Sequence, residues 1–190
     1  MPYQTTTDMK ISTEQTLKVL NVLAWIIFIG VSIEAGGFIF STFYTLEINP
    51  INAHRSWPGL DLSGLYDYGR GYFLAEMSQI SLVSLMRAVL FYMIIDVLQN
   101  KKLDITRPFS KNVGRFLFRI SYLSLLIGLF SWSGAKYTGW LVSNGVKVPD
   151  LQSLRLAGAD VWLFMGVTIF VIAQIFKRGI EIQTENELTV

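Results

Sequence analysis

Five residues place polar or ionisable chemistry inside stretches that are otherwise apolar: Glu34, Glu76, Arg87, Asp160 and Gln174. An ionisable group at bilayer depth is costly. It is retained where it faces a protein interior, a water-filled cavity or an opposite charge. Glu34 and Arg87 are a candidate pair, because on an ideal helical rise their Cα atoms differ in depth by about 9 Å, a gap that a long Arg side chain largely closes. Glu76 lies about three turns before Arg87 and shares its face, with Gln79 and Ser84 on the same helix. Asp160 and Gln174 also nearly share a face. Such groups either join helices by hydrogen bonds or line a cavity or proton path for a small ligand.

Other chemistry is sparse. No P-loop, GxSxG elbow or HExxH motif occurs. The chain has no cysteine, which removes thiolate nucleophiles, disulfides and cysteine metal sites together. Its one histidine, His54, stands in a connection near Asp61 and Asp67, and one histidine cannot supply bis-histidine haem ligation. The expectation is a protein that is not an enzyme and carries no metal or cofactor.

The elements that must position these groups follow from composition. Of 190 residues, 52% are hydrophobic and 16% charged, against about 25% charged in an average soluble domain. The charges gather between four long apolar runs, at about 19–44, 72–98, 116–142 and 157–176. Each reaches the roughly 20 residues that a helix needs to cross about 30 Å of hydrocarbon. Backbone groups in lipid must be paired internally, so runs of this length are helical. The expected fold is an all-α membrane protein, a four-transmembrane-helix bundle forming one domain over 1–190. The first run is too long for a cleaved signal peptide. Ser12 and Gln15 have capping-box spacing before it, and Gly36-Gly37 is its one hint of a break. Gly30, Ser32, Gly36, Gly128 and Gly134 are expected to let helices approach closely. Trp25 is expected to pack between helices.

Basic residues set the expected orientation. Lys10, Lys18, Lys101, Lys102, Arg107, Lys111, Arg115, Arg119, Lys177 and Arg178 fall on the side of both termini and the middle connection. Arg55, Arg70, Lys136, Lys147 and Arg155 fall on the other. The excess places both ends in the cytoplasm. Trp132, Tyr137, Trp140 and Trp162 lie toward the opposite, headgroup boundary. The 45–71 connection, with Trp57, Tyr66 and Tyr68, is expected to fold back on the bundle or touch the membrane. Ser110 is a plausible N-cap for the third helix. Lys177 and Arg178, followed by Gly179, are expected to end the fourth helix and leave a short polar tail. The net charge of +2 gives no reason to expect nucleic-acid binding. The basic middle connection suits anionic lipid, and self-association is compatible with everything above.

Two segments carry a resemblance. Arg107-Pro108-Phe109-Ser110-Lys111-Asn112 opens the third helix, and Phe176-Lys177-Arg178-Gly179 leads to Glu185-Asn186-Glu187-Leu188-Thr189-Val190. Together they resemble the DUF2975 family of small bacterial membrane proteins of unknown function. The resemblance implies four spans in a bacterial cytoplasmic membrane. It also implies a gene neighbour encoding a small helix-turn-helix regulator of the Cro/C1 type. The function expected first is therefore a membrane partner that sequesters or releases such a regulator. Its expected surface is Lys101, Lys102, Arg107, Phe109, Lys111, Arg115, Lys177, Arg178, Glu185 and Leu188. The alternatives are a small-molecule transporter or receptor using Glu34, Glu76, Arg87 and Asp160, and protection against a membrane-active toxin.

Overall fold

The computed structural model describes residues 13–99 and 110–188, and every regular element among them is helical. The helices are α1 (Thr13–Glu47), α2 (Ser63–Tyr68), α3 (Arg70–Gln99), α4 (Lys111–Ser143) and α5 (Ala159–Leu188), with a 3-10 helix at Pro50–Arg55. Four of them, α1, α3, α4 and α5, are long and apolar enough to cross a membrane. Their exposed faces carry large apolar side chains such as Ile26, Phe40, Phe164 and Ile175, a surface suited to lipid rather than water. The chain is a multi-pass membrane protein.

The long helices run antiparallel, each packing on its neighbour in the order α1–α3–α4–α5, and α1 packs directly on neither α4 nor α5. Residues 13, 99, 111 and 188 share one end, called here the terminal end. Residues 47, 70 and 143 share the other, the loop end, and α5 starts farther in, with Leu156 lying against Gly134 of α4.

Small residues set the α4–α5 contact. A Cβ on Gly128 would lie 3.0 Å from the Leu163 backbone nitrogen, and one on Gly166 would lie 2.9 Å from that of Leu125. The Ser121 hydroxyl donates to the Gly166 carbonyl at 3.0 Å, a bond that close approach permits. Of the glycines expected to serve contact, Gly128 and Gly134 do so, whereas Gly30 and Gly36 face open space.

The fully buried side chains concentrate at the loop end: Phe38, Leu62, Leu65, Phe73, Met77, Leu141, Leu154 and Leu156. Leu62 and Leu65 come from the 45–71 connection, and Leu154 and Leu156 from the 144–158 connection, so both fold inward. The 45–71 connection is therefore structured, and it does fold back on the bundle. The Trp57 indole lies on Gly37, where a Cβ would meet its ring at 2.5 Å. Gly37 is thus a seat for Trp57, and α1 runs unbroken through Gly36-Gly37. Tyr66 meets Phe73 edge-on at 5.4 Å, and the Arg70 guanidinium donates to the Leu46 carbonyl.

Two expectations are corrected. Helix α5 does not stop at Lys177 and Arg178 but continues to Leu188. Gly179 in a helix costs about 1 kcal/mol relative to Ala. Against that, Ile180 packs on Gly114 of α4, and Arg178 pairs with Glu181 one turn on at 3.1 Å. Trp25 packs edge-on against Phe28 of its own helix and is partly exposed, rather than wedged between helices. The expected cap is formed: Ser110 accepts from the Val113 N–H at 3.3 Å, so α4 begins at Lys111, ahead of the apolar run. Ser12 lies outside the described residues.

Candidate functional site

The polar residues of the spans separate into two groups. The first lies between α3 and α4. Glu76 is fully buried, and its Oε1 accepts from the Thr138 hydroxyl at 2.5 Å. The same hydroxyl lies 2.9 Å from the Gly134 carbonyl. Glu76 Oε2, Gln79 Oε1 and Ser131 Oγ are buried without hydrogen-bond partners among the described residues. Ser84 is also buried on α3, so the polar side read from the α3 sequence does face the bundle.

The second group lies between α1, α3 and the 144–158 connection. The expected Glu34–Arg87 pair is not the one formed. Glu34 accepts from Nε of Arg155 at 2.5 Å. Arg87 instead places its guanidinium 5.5 Å from the centroid of the Trp162 ring, a cation–π contact. Its Nε is buried without a hydrogen-bond partner. Sequence reasoning missed Arg155 because it sits in a connection and was weighed only as an orientation charge. The signal was the alternation Leu154-Arg155-Leu156, an Arg between two residues that are both fully buried.

The connection is built to hold Arg155 there. Asp150 Oδ1 accepts from the backbone N–H of Gln152 at 2.9 Å and of Ser153 at 3.0 Å, and Oδ2 accepts from the Ser153 hydroxyl at 2.7 Å. The Leu156 and Ala157 N–H groups close back on the Leu151 carbonyl. Within this knot Arg155 adopts φ +61°, a left-handed conformation that costs a non-glycine residue about 1–2 kcal/mol. The Ser153 side-chain and backbone bonds hold the Asp150 carboxyl below its ordinary value. The sign follows: a depressed folded-state pKa contributes stability above the unfolded value and loses it as pH falls through the folded one.

A cavity of about 400 Å³ opens beside this group, lined by Val31, Arg87, Phe91, Gln152, Arg155, Ala157, Gly158 and Trp162. Asp160 and Gln174 are not part of it. Asp160 is in the first turn of α5, where a carboxylate suits the positive helix end, and both side chains are exposed.

At the terminal end, Lys111, Gly114, Arg115 and Phe118 of α4 and Lys177, Ile180 and Glu181 of α5 line a groove of about 530 Å³. Lys111, Arg115, Lys177 and Arg178 are exposed, as is Glu185. Lys101, Lys102, Arg107 and Phe109 lie outside the described residues, and Leu188 closes α5. A third cavity, about 330 Å³, includes Asp96, Arg115 and Arg119 between α3 and α4. His54 Nδ1 lies 3.6 Å from Asp61 Oδ1, with both side chains exposed. Among the described residues, no three His, Cys, Asp or Glu side chains cluster to hold a metal.

These features define a helical, multi-pass membrane protein with one polar cleft inside the bundle and one mixed groove at the terminal end. Residues 42–190 match the family described as protein of unknown function (DUF2975), and the chain belongs to that family. No curated protein and no solved structure matches it.

Proposed function

We propose that the protein is a membrane-bound regulatory partner that holds and releases a small cytoplasmic helix-turn-helix regulator through the groove at its terminal end. One observation carries the reading: the segment opening α4 and the segment closing α5 form a single surface. A Cβ on Gly114 would lie 3.2 Å from Ile180 Cδ1, so the first turn of α4 meets α5 just after Gly179. Helix α4 has 33 residues, about 50 Å at 1.5 Å each, against about 30 Å of hydrocarbon. Stacked Tyr72, Tyr137 and Trp140 mark the headgroup level near the loop end. The excess length of α4 and α5 then projects from the other face, where the basic excess favours the cytoplasm. The groove has apolar Phe118 and Ile180, with Lys111, Arg115 and Lys177 against the single carboxylate of Glu181. That pattern suits an amphipathic helix with an acidic margin.

The chain has no cysteine, so an introduced one is a unique label. A cysteine at Arg178 should react with a membrane-impermeant maleimide only after the cells are opened. Labelling in intact cells would reverse the orientation and end this reading. With orientation fixed, Ile180→Asp should abolish co-purification of the helix-turn-helix regulator that the family resemblance implies, while leaving membrane insertion unchanged. Undiminished co-purification would place the regulator elsewhere, and none with the unaltered chain would end the reading.

A further inference from the structure

The cleft between α1 and α5 is independent of that groove and calls for an occupant of its own. It gathers two guanidinium groups, Arg87 and Arg155, against one carboxylate, Glu34. That carboxylate is committed to Arg155 at 2.5 Å. Arg87 has an aromatic face on one side and a buried Nε without a hydrogen-bond partner. Of the nearest other carboxylates in sequence, Asp150 is used within its own turn and Asp160 is exposed on the next helix. Among the described residues the group therefore has one positive charge more than it has negative, and the half-buried Arg87 sits where an uncompensated charge is costly. Ala157 and Gly158 bring the positive N-terminal end of α5 to the same wall.

The remaining walls are Val31 from α1, Phe91 from α3 and Trp162 from α5, all apolar, with Gln152 of the connection as one polar residue among them. Because α1 and α5 do not pack on each other, the cleft opens sideways between two spans, the direction from which lipid would approach. A soluble anion would have to reach this depth through hydrocarbon. An anion carried on an acyl chain arrives from the side, with its head among the arginines and its chain passing out between α1 and α5. Arg recognises both carboxylate and phosphate oxygens in bidentate geometry.

We propose that this cleft binds the single anionic group of an acyl-bearing amphiphile, held by Arg87 and Arg155 with Glu34 as the counter-ion that limits its affinity. The test uses the full chain in neutral detergent, offered phosphatidylglycerol, phosphatidylcholine or oleate, with bound molecules counted by native mass spectrometry. Retention of at least one anionic probe over phosphatidylcholine by about fivefold or more is expected. Phosphatidylglycerol alone would identify a phosphodiester head, and oleate a fatty carboxylate. Arg155→Gln should lower that preference, and Glu34→Gln should raise it by freeing Arg155. A merely structural ion pair would give losses in both. Arg87→Gln should act like Arg155→Gln, and if it fails to fold, the opposite signs of the other two variants still decide. Equal retention of phosphatidylcholine would overturn the proposal. So would a preference unchanged in Arg155→Gln, or one abolished only by Lys111→Gln with Arg115→Gln at the terminal end.

Discussion

Thr138→Val is expected to lower the free energy of unfolding by about 1–3 kcal/mol, the cost of leaving a buried acceptor without its donor. The affected acceptor is Glu76 Oε1, on a side chain that is fully buried and whose Oε2 already has no partner. Val is close in shape to Thr, so the change removes the hydroxyl and little else. Two effects oppose each other here. Hydrogen bonds between helices in lipid average well under 1 kcal/mol, because the unfolded helix finds other partners. A carboxyl group left with two unpartnered oxygens is a harsher case, and it dominates. The double variant Glu76→Leu with Thr138→Val should recover most of the loss, since replacing both partners by apolar groups is nearly neutral. Reversible unfolding in mixed micelles measures all three proteins. A double variant less stable than Thr138→Val would mean that Glu76 has a further stabilising contact.

Gly166→Leu is expected to be the most damaging single change, separating α4 from α5 at the middle of their contact. A Cβ at this position would lie 2.8 Å from Leu125 Cγ and 2.9 Å from the Leu125 backbone nitrogen. A side-chain tip can rotate away, but a helix backbone moves only with its helix. Helix propensity favours replacing glycine by about 1 kcal/mol, so the sign depends on packing. Overpacking costs about 1–3 kcal/mol, sometimes more. Here it also removes the Ser121–Gly166 hydrogen bond. Gly166→Ala already adds the clashing Cβ and should be net destabilising, though less than Gly166→Leu, whereas Gly30→Ala, with open space around its Cβ, should be neutral or stabilising. Cysteine pairs across α4 and α5 would report the separation directly through their crosslinking yield. An undiminished yield in Gly166→Leu would show that the helices part less easily than this geometry implies.

The four spans were legible because hydrocarbon thickness fixes a minimum run of apolar residues, and each run reaches it. The polar side of α3 was legible because helical spacing puts Glu76, Gln79 and Arg87 on related faces. Arg155 was not. Matching depths between helices assumes that partners come from helices, and here a connection descends into the bundle and supplies the partner. The Leu-Arg-Leu alternation is too short to register as a span or a strand. The length of α5 was misjudged for a related reason: Lys177, Arg178 and Gly179 end an apolar run, but not a helix that has α4 beside it. Gly37 was read as a possible break, since the side chain that covers it, Trp57, lies in a different element. The family was visible in two short motifs, and the matched region 42–190 includes both.

The Glu34–Arg155 contact joins the first long helix to the last connection before the fourth. During synthesis, α1 enters the bilayer well before residue 155 is made. Until then Glu34 has no Arg155 and the pocket for Leu154 and Leu156 has no occupant. The connection thus acts as a late-arriving latch: it can seat only after the first hairpin is in place and the second is being completed. A chain halted before that point has Glu34 without its Arg155 hydrogen bond and lacks the buried Leu154 and Leu156.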